Sequence, residues 1–292
     1  MIEYQFDAES IQFIQSFSSP LLDFFFQIIT QLGNPVFWLI ISAYLYWIGK
    51  EKASLYLTNL ILFTAVFVET LKLFFARPRP EFSGESRRIL GTETNSKYSF
   101  PSGHAALISS VTAFYASRKK LLQTIGMILL IILVGASRLY LGVHFLSDVL
   151  AGIVLGIIVA GFNKHVSRKL DDAKLKLTKL NEEFLILFAF IASILVLTVS
   201  QSYTISAMFF GYYVGLFMIR ETGYKCTQLS RQKTALKIVL GFDFIAVFAW
   251  LAISSIEVNF LISYLMFLIL GLWVSMLYPL LFERMILKFF KQ

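Results

Sequence analysis

Long apolar segments follow one another along most of this chain of 292 residues. Hydrophobic residues make up 57% of it and charged residues only 15%, with a mean hydropathy of +0.72, which excludes a water-soluble domain. Most segments approach the length that a helix needs to cross the hydrocarbon core of a bilayer. In hydrocarbon, a helix satisfies its own backbone hydrogen bonds. The sequence therefore predicts an all-α fold, a polytopic transmembrane helix bundle.

Nine spans are predicted, and the hydropathy leaves counts of eight or ten open. Several are shorter than the roughly 20 residues of a perpendicular span, which indicates shielding by neighbouring helices. We predict N-terminal interfacial helices (1–34) broken at Pro20, a five-span transmembrane core (35–163), a cytoplasmic amphipathic linker (164–182) and additional C-terminal transmembrane helices (183–292). The nine spans are 35–49, 54–75, 103–117, 121–139, 146–163, 183–200, 203–219, 236–255 and 259–282.

Positive charge is distributed unevenly between the two sets of loops. If the loops alternate sides, 19 of the 26 lysines and arginines fall on one side and seven on the other. By the positive-inside rule, the side with 19 cations is cytoplasmic. The net charge of +8 therefore reflects membrane topology, and no basic and aromatic groove pattern indicates nucleic-acid binding. The other seven cations face the extracytoplasmic side of what we expect to be the cell membrane.

Three short clusters hold most of the chemically reactive residues, and each falls at a predicted helix end on the extracytoplasmic side. They include two of the three histidines of the chain. A helix N-terminus offers free backbone N–H groups and a positive dipole end, which suit a phosphoryl group. Arginines bind phosphate through planar forks and a lysine as a point charge. The clusters are Lys72 with Arg79; Ser102, Gly103 and His104; and Arg138, His144 and Asp148.

The third cluster has the spacing of an activated nucleophile. His144 and Asp148 lie four residues apart and share a helix face, so the carboxylate can accept a hydrogen bond from one imidazole nitrogen and orient the other. Together the clusters supply the groups that cleave a phosphate ester through a phosphohistidine. Because lysine and arginine provide the positive charge, we expect no metal and no other cofactor.

In this order and at these spacings, the clusters resemble the three-part signature of the type 2 phosphatidic acid phosphatase superfamily. They read Lys72, six residues, Arg79-Pro80; Pro101-Ser102-Gly103-His104; and Ser137-Arg138, five residues, His144, three residues, Asp148. The resemblance covers residues 8–163. It implies that His144 is the nucleophile, that Asp148 orients it and that His104 protonates the leaving alkoxide. The phosphate-binding residues that it implies are Lys72, Arg79, Ser102, Gly103 and Arg138.

The predicted function is that of an integral-membrane lipid phosphate phosphatase, acting on a monoester or a polyprenyl diphosphate. The ARPRP and SRLYLGVH forms and the added C-terminal spans are similar to the sphingoid-base-phosphate phosphatase branch. Two alternatives stay open: a glucose-6-phosphatase-like enzyme for a soluble ester, and a lipid transporter or scaffold with a vestigial signature. The expected partners are a phosphorylated lipid and the bilayer, and homo-oligomer formation stays open.

Four further ionisable residues are weighed against simpler roles. We expect Glu69 to pair with Lys72 rather than to act as a base. Arg77 ranks behind Arg79 and is interpreted as a loop cation, and His165 is interpreted as structural. Asp243 lies inside an apolar span, where it either has a function or reaches a helix partner or the interface.

Overall fold

The computed structural model describes residues 2–83, 88–91, 97–116, 121–172, 203–224, 229–254, 259–282 and 284, with five positions between 191 and 198. Over these residues the protein is all helical, apart from an isolated β-bridge between Pro78 and Tyr98. The helices are α1 (Ile2–Ser16), α2 (Pro20–Thr30), α3 (Pro35–Trp47), α4 (Glu51–Phe75), α5 (Pro80–Ser83), α6 (Gly103–Tyr115), α7 (Leu121–Tyr140), α8 (Leu146–Asp172), α9 (Tyr203–Glu221), α10 (Arg231–Ser254), α11 (Phe260–Leu272) and α12 (Tyr278–Leu281).

Five helical segments of the described residues are long and apolar enough to cross a membrane. They are Glu51–Phe75, Leu121–Tyr140, Leu146–Arg168, Arg231–Ser254 and Phe260–Leu281. The last combines α11 and α12 through a π-helical segment, Trp273–Leu277. A sixth candidate is the pair Pro20–Gly33 and Pro35–Trp47, which bends by 54°. The helical class and these spans confirm an integral membrane protein, whereas the total of nine spans stays a prediction.

The remaining predicted spans have different outcomes. Residues 103–117 correspond to α6, which has only 13 residues, and eight consecutive residues of α6, 105–112, are buried. This burial agrees with the expectation that short spans are shielded by neighbouring helices. Residues 203–219 correspond to α9, with 19 residues. The predicted span 183–200 and the second half of the amphipathic linker lie outside the described residues.

The chain divides into two compact units. The first comprises residues 1–39 and 56–174, and the second comprises residues 40–55 and 175–292. In the second unit, an aromatic core of Trp47, Tyr278 and Phe282 is fully buried, and the Trp47 indole donates to the Val274 carbonyl at 2.9 Å. The three sequence clusters all belong to the first unit.

Local sequence explains where α2 begins. Ser19 caps α2 by accepting a hydrogen bond from the Leu22 N–H at 3.3 Å, and Pro20 occupies the first helical position. Proline suits this position because it has no N–H to satisfy and its φ angle is already helical. The predicted break at Pro20 is therefore the start of a second helix.

Two glycines allow α6 and α8 to touch backbone to backbone. A Cβ on Gly152 would lie 2.5 Å from the Ser102 carbonyl oxygen, and one on Gly156 would lie 2.2 Å from the Ala106 carbonyl oxygen. Small residues one helical turn apart permit such close approach between membrane helices. This contact sets the first residues of α6, including His104, against the first turns of α8.

Candidate active site

The structure brings all eight predicted site residues together in the first unit. Lys72 lies in the last turn of α4, and Arg79 lies in the loop that follows it. Ser102 immediately precedes α6, and Arg138 lies in the last turn of α7. His144 lies in the turn between α7 and α8, and Asp148 lies in the first turn of α8. The residues with little or no exposed surface are Lys72, Arg79, Ser102, Arg138, His144 and Asp148.

His144 stands between an arginine and a carboxylate. Its Nε2 lies 3.3 Å from Nη1 of Arg79, and its Nδ1 lies 3.5 Å from Oδ2 of Asp148. A guanidinium has only donors, so in the neutral imidazole Nε2 accepts and the proton is on Nδ1. Nδ1 makes no hydrogen bond within the described part of the chain, so the Asp148 contact is electrostatic at this distance.

The surroundings of His144 favour its neutral form. Burial lowers the pKa of the His144 imidazole well below its ordinary value, and the nearby charges lower it further. A neutral imidazole with an unprotonated Nε2 is the form that attacks phosphorus. The groups that contribute are Arg79, Arg138, Lys72 and His104.

Besides its contact with His144, the Asp148 carboxylate accepts hydrogen bonds from other residues. Its Oδ2 accepts from the Phe145 backbone N–H at 2.8 Å, and its Oδ1 accepts from Nη1 of Arg77 at 2.8 Å. The first bond caps the start of α8 in the manner of a capping box. The second makes Arg77 part of the site, so its interpretation as a loop cation needs correction. A cation in the same RPRP segment as Arg79 was the one available sequence signal.

The three predicted phosphate-binding cations are positioned separately. Nη1 of Arg79 also donates to the Val143 carbonyl at 3.0 Å, which fixes the guanidinium beside the His144 turn. Lys72 Nζ pairs with Glu69 Oε1 at 2.9 Å, as predicted for Glu69. Arg138 Nη1 donates to Thr30 Oγ1 at 2.5 Å. Burial of the Arg79 guanidinium lowers its pKa from the ordinary value, and acidic neighbours oppose that shift.

The start of α6 supplies uncharged donors. Ser102 immediately precedes α6, and its backbone N–H donates to the Asp148 carbonyl at 2.9 Å. Its buried Oγ has no hydrogen-bond partner among the described residues, so this hydroxyl is available to an anion. Gly103 and His104 open the helix, where N–H groups have no partner within the helix.

The N-terminal helices were predicted only as interfacial, but they contribute to the site. Thr30 contacts Arg138, and Asp7 on α1 accepts from Nη2 of Arg77 at 2.7 Å. Gly33 packs so closely on His104 that an added Cβ would lie 2.7 Å from the His104 Cβ. By contrast, His165 lies 19 residues into α8 beyond Leu146, or roughly 29 Å along the helix, outside the site.

A group of buried cations around two imidazoles, built on membrane helices, defines a membrane enzyme that acts on a phosphoryl group. The chain belongs to the PAP2 superfamily, whose sequence model matches residues 53–172. A second model, the PAP2 superfamily phosphatase transmembrane extension, matches residues 203–289. The protein is therefore a phosphatase that hydrolyses phosphoric esters.

Three curated relatives are named for different lipid phosphates. The lipid A 4'-phosphatase of Porphyromonas gingivalis is 31% identical over 178 residues, which are 55% of this chain and 73% of that protein. Phosphatidylglycerophosphatase B of Bacillus subtilis is 33% identical over 159 residues, 48% of this chain and 74% of that protein. A dihydrosphingosine 1-phosphate phosphatase of Schizosaccharomyces pombe is 30% identical over 51% of this chain but only 39% of its own length.

Proposed function

We propose that this protein is a metal-independent phosphatase of lipid phosphates that forms a phosphohistidine on His144. The observation that carries the proposal is the buried His144 imidazole, whose Nε2 lies 3.3 Å from Arg79 and whose Nδ1 lies 3.5 Å from Asp148. Arg79, Lys72 and Arg138 neutralise the phosphate oxygens, and their charge is also available to the five-coordinate transition state. The Ser102 hydroxyl and the first N–H groups of α6 add hydrogen bonds.

The reaction has two steps. In the first, His144 Nε2 bonds to phosphorus as the bond to the lipid oxygen breaks. His104, protonated once the anionic phosphate offsets the charges of Lys72 and Arg79, gives its proton to the leaving alkoxide. In the second, His104 takes a proton from water, the water oxygen attacks phosphorus, and the bond to Nε2 breaks. The sum is an ester and water converted to an alcohol and phosphate. Asp148 stabilises the Nδ1–H of His144 in both steps.

The substrate class follows from the membrane setting and the relatives. All three relatives are named for phosphorylated lipids, and the present site is built at the ends of membrane helices. A phosphate held there leaves the tail of its lipid among apolar helices. We place the site on the extracytoplasmic face, because the side with 19 cations is cytoplasmic by the positive-inside rule.

Phosphate release by the purified protein tests the proposal. Phosphatidate, phosphatidylglycerol phosphate, sphingosine 1-phosphate and undecaprenyl diphosphate are compared with glucose 6-phosphate, with His144→Ala as the inactive control. We expect at least one lipid to be preferred, activity to persist in EDTA, and vanadate to inhibit as a mimic of five-coordinate phosphorus. Preference for glucose 6-phosphate would contradict the lipid class, and loss in EDTA restored by Mg²⁺ would contradict metal independence.

A further inference from the structure

Arg77 binds two carboxylates that lie far apart in the sequence, one on α1 and the other on α8. Its Nη1 donates to Asp148 Oδ1 at 2.8 Å, and its Nη2 donates to Asp7 Oδ2 at 2.7 Å. Ser147 closes the group, because its backbone N–H and hydroxyl both donate to Asp7, at 2.9 and 2.6 Å. Asp7 is on α1 and lies 70 residues before Arg77. The first helix is thus tied to the first turn of α8 directly through Ser147 and also through the Arg77 guanidinium.

The whole group is shielded from solvent. The exposed fractions of the side chains are 4% for Asp7, 14% for Arg77 and 0% for Asp148. The Arg77 guanidinium also lies over the Phe145 ring, 4.1 Å from its centre. Charge-assisted hydrogen bonds are short and strong, and the planar guanidinium of Arg77 gives one such bond to each of the two carboxylates. Since Asp148 is immobilised by Arg77 and by the Phe145 N–H, its Oδ2 faces His144 in one orientation.

Asp7 carries its negative charge in this setting. Burial raises the pKa of the Asp7 carboxyl, but hydrogen bonds from Arg77 and Ser147 and the charge of Arg77 outweigh burial, so the pKa lies below its ordinary value. Arg77 is therefore shared between two carboxylates. The fraction of its charge that offsets Asp148 depends on Asp7, although Asp7 does not touch His144 in this arrangement.

We propose that Asp7 and Arg77 are a positioning pair that orients Asp148 and sets the electrostatic field at His144. The inference rests on the proposed function, in which the neutral His144 imidazole is the nucleophile. The other charged or titratable groups near His144 come from every element around it. They are Glu69 and Lys72 on α4, Arg79 in the following loop, Glu81 on α5, His104 on α6, Arg138 on α7 and Asp148 on α8.

Removing the charge of Arg77 and removing the charge of Asp7 should shift the acid limb of the kcat/KM pH profile in opposite directions. In Arg77→Gln, Asp148 is less neutralised, so it stabilises the imidazolium, and the acid limb of kcat/KM should move to higher pH. In Asp7→Asn, Arg77 is shared with one carboxylate fewer, so the acid limb should move to lower pH. Each displacement should be about 0.5 pH unit or more for a buried unit charge at this range. Because every assay uses the same substrate, ionisation of the substrate affects all variants equally and does not contribute to the displacement.

Kinetic constants separate positioning from binding. We expect kcat of Arg77→Gln to fall about 10- to 100-fold, because a misplaced catalytic group costs that much, while KM changes little. Arg77→Lys keeps the charge but loses the fork, so it should keep the wild-type acid limb and lose part of kcat. If Arg77→Gln does not fold, Asp7→Asn and Arg77→Lys still test both halves of the inference.

A second helix-to-loop ion pair provides the matched control. Asp23 on α2 and Arg88 bind each other at 2.8 Å, and neither contacts Asp148 among the contacts of the described residues. Asp23→Asn and Arg88→Gln should leave the acid limb in place. Opposite displacements confined to the Asp7 and Arg77 variants support the inference. Unmoved limbs, or displacements in the same direction, in variants of an active wild type would overturn it, whereas an inactive wild type would contradict the proposed function instead.

Discussion

At the residue scale, the two nitrogens of His144 have neighbours of opposite charge. Arg79 donates toward Nε2 and Asp148 faces Nδ1. In the proposed mechanism, Arg79 therefore holds the Nε2 lone pair that attacks phosphorus, and it also binds the phosphate. We expect Nη1 of Arg79, which also donates to the Val143 carbonyl, to turn from Nε2 to a phosphate oxygen when a phosphate binds. One side chain thus serves both the resting site and the proposed transition state.

Alanine substitutions should separate the proposed roles of the two histidines. His144→Ala removes the attacking nitrogen, so turnover should fall on the order of 10³-fold or more, and no phosphoenzyme should form. His104→Ala removes a proton donor, which is worth about 10²- to 10⁴-fold and matters most for a poor leaving group. It should therefore retain more activity on p-nitrophenyl phosphate than on a lipid phosphate.

Phosphoenzyme trapping and the ratio of the two turnover rates give the measurement. Each variant is first shown to be folded by size-exclusion chromatography and thermal unfolding in detergent. Equal losses of His104→Ala on both substrates, or a phosphoenzyme trapped in His144→Ala, would mean that these roles are assigned wrongly.

At the element scale, the contact between α6 and α8 determines where His104 lies relative to the first turn of α8. At Gly152 and Gly156 no side chain separates the two helices, so the backbone of α8 packs directly against the backbone of α6. The geometry of the site therefore depends on residues that bear no functional group.

Gly156→Ala should lower the thermal unfolding midpoint and the turnover rate. The new methyl group would lie 2.2 Å from the Ala106 carbonyl oxygen, so the helices must separate, and overpacking of this kind costs typically about 1–3 kcal/mol. Gly161→Ala on the same helix is the control, because nothing lies within 4 Å of its added Cβ. That variant should be unchanged, or more stable by up to about 1 kcal/mol from helix propensity. Equal midpoints for the two variants would show that the contact is not tight.

Hydropathy predicts α4, α7 and α8 well because each is recognised from residues adjacent in the chain. The contribution of α1 has no such signal. Its buried face mixes Asp7 and Gln15 with Ile11, and the partner of Asp7 is 70 residues away. Spacing brought together the three clusters, since each is local in sequence. Sequence spacing did not reveal the role of Arg77, because its two carboxylate partners, Asp7 and Asp148, lie on two other helices far away in the sequence.

At the scale of the whole molecule, the distribution of charge predicts which side of the membrane the site faces. The turn between α3 and α4 carries Lys50, and Lys52 follows in the first turn of α4; both belong to the side with 19 cations. The loop that carries Arg88 and Ile89 belongs to the other side. Single cysteines on these two loops report the orientation directly.

In a Cys226→Ser background, Ile89→Cys should react with an impermeant thiol reagent added to intact cells, whereas Lys50→Cys should react only after the cells are permeabilised. Ile89 is 53% exposed and Lys50 is also exposed, so access is not limited by packing within the described residues. Labelling is read as a mass shift of the protein on a gel. The reverse pattern would place the site in the cytoplasm.

Because residues of the N-terminal helical region contact the site, a chimera between relatives must include that region to transfer the site. The family match begins at residue 53, yet Asp7, Thr30 and Gly33 all contact site residues from before that point. A chimera that exchanged only the recognisable stretch between two relatives would carry the nucleophile into a foreign scaffold and leave its supports behind. Swaps among relatives should therefore move the amino-terminal helices and the matched stretch as one module.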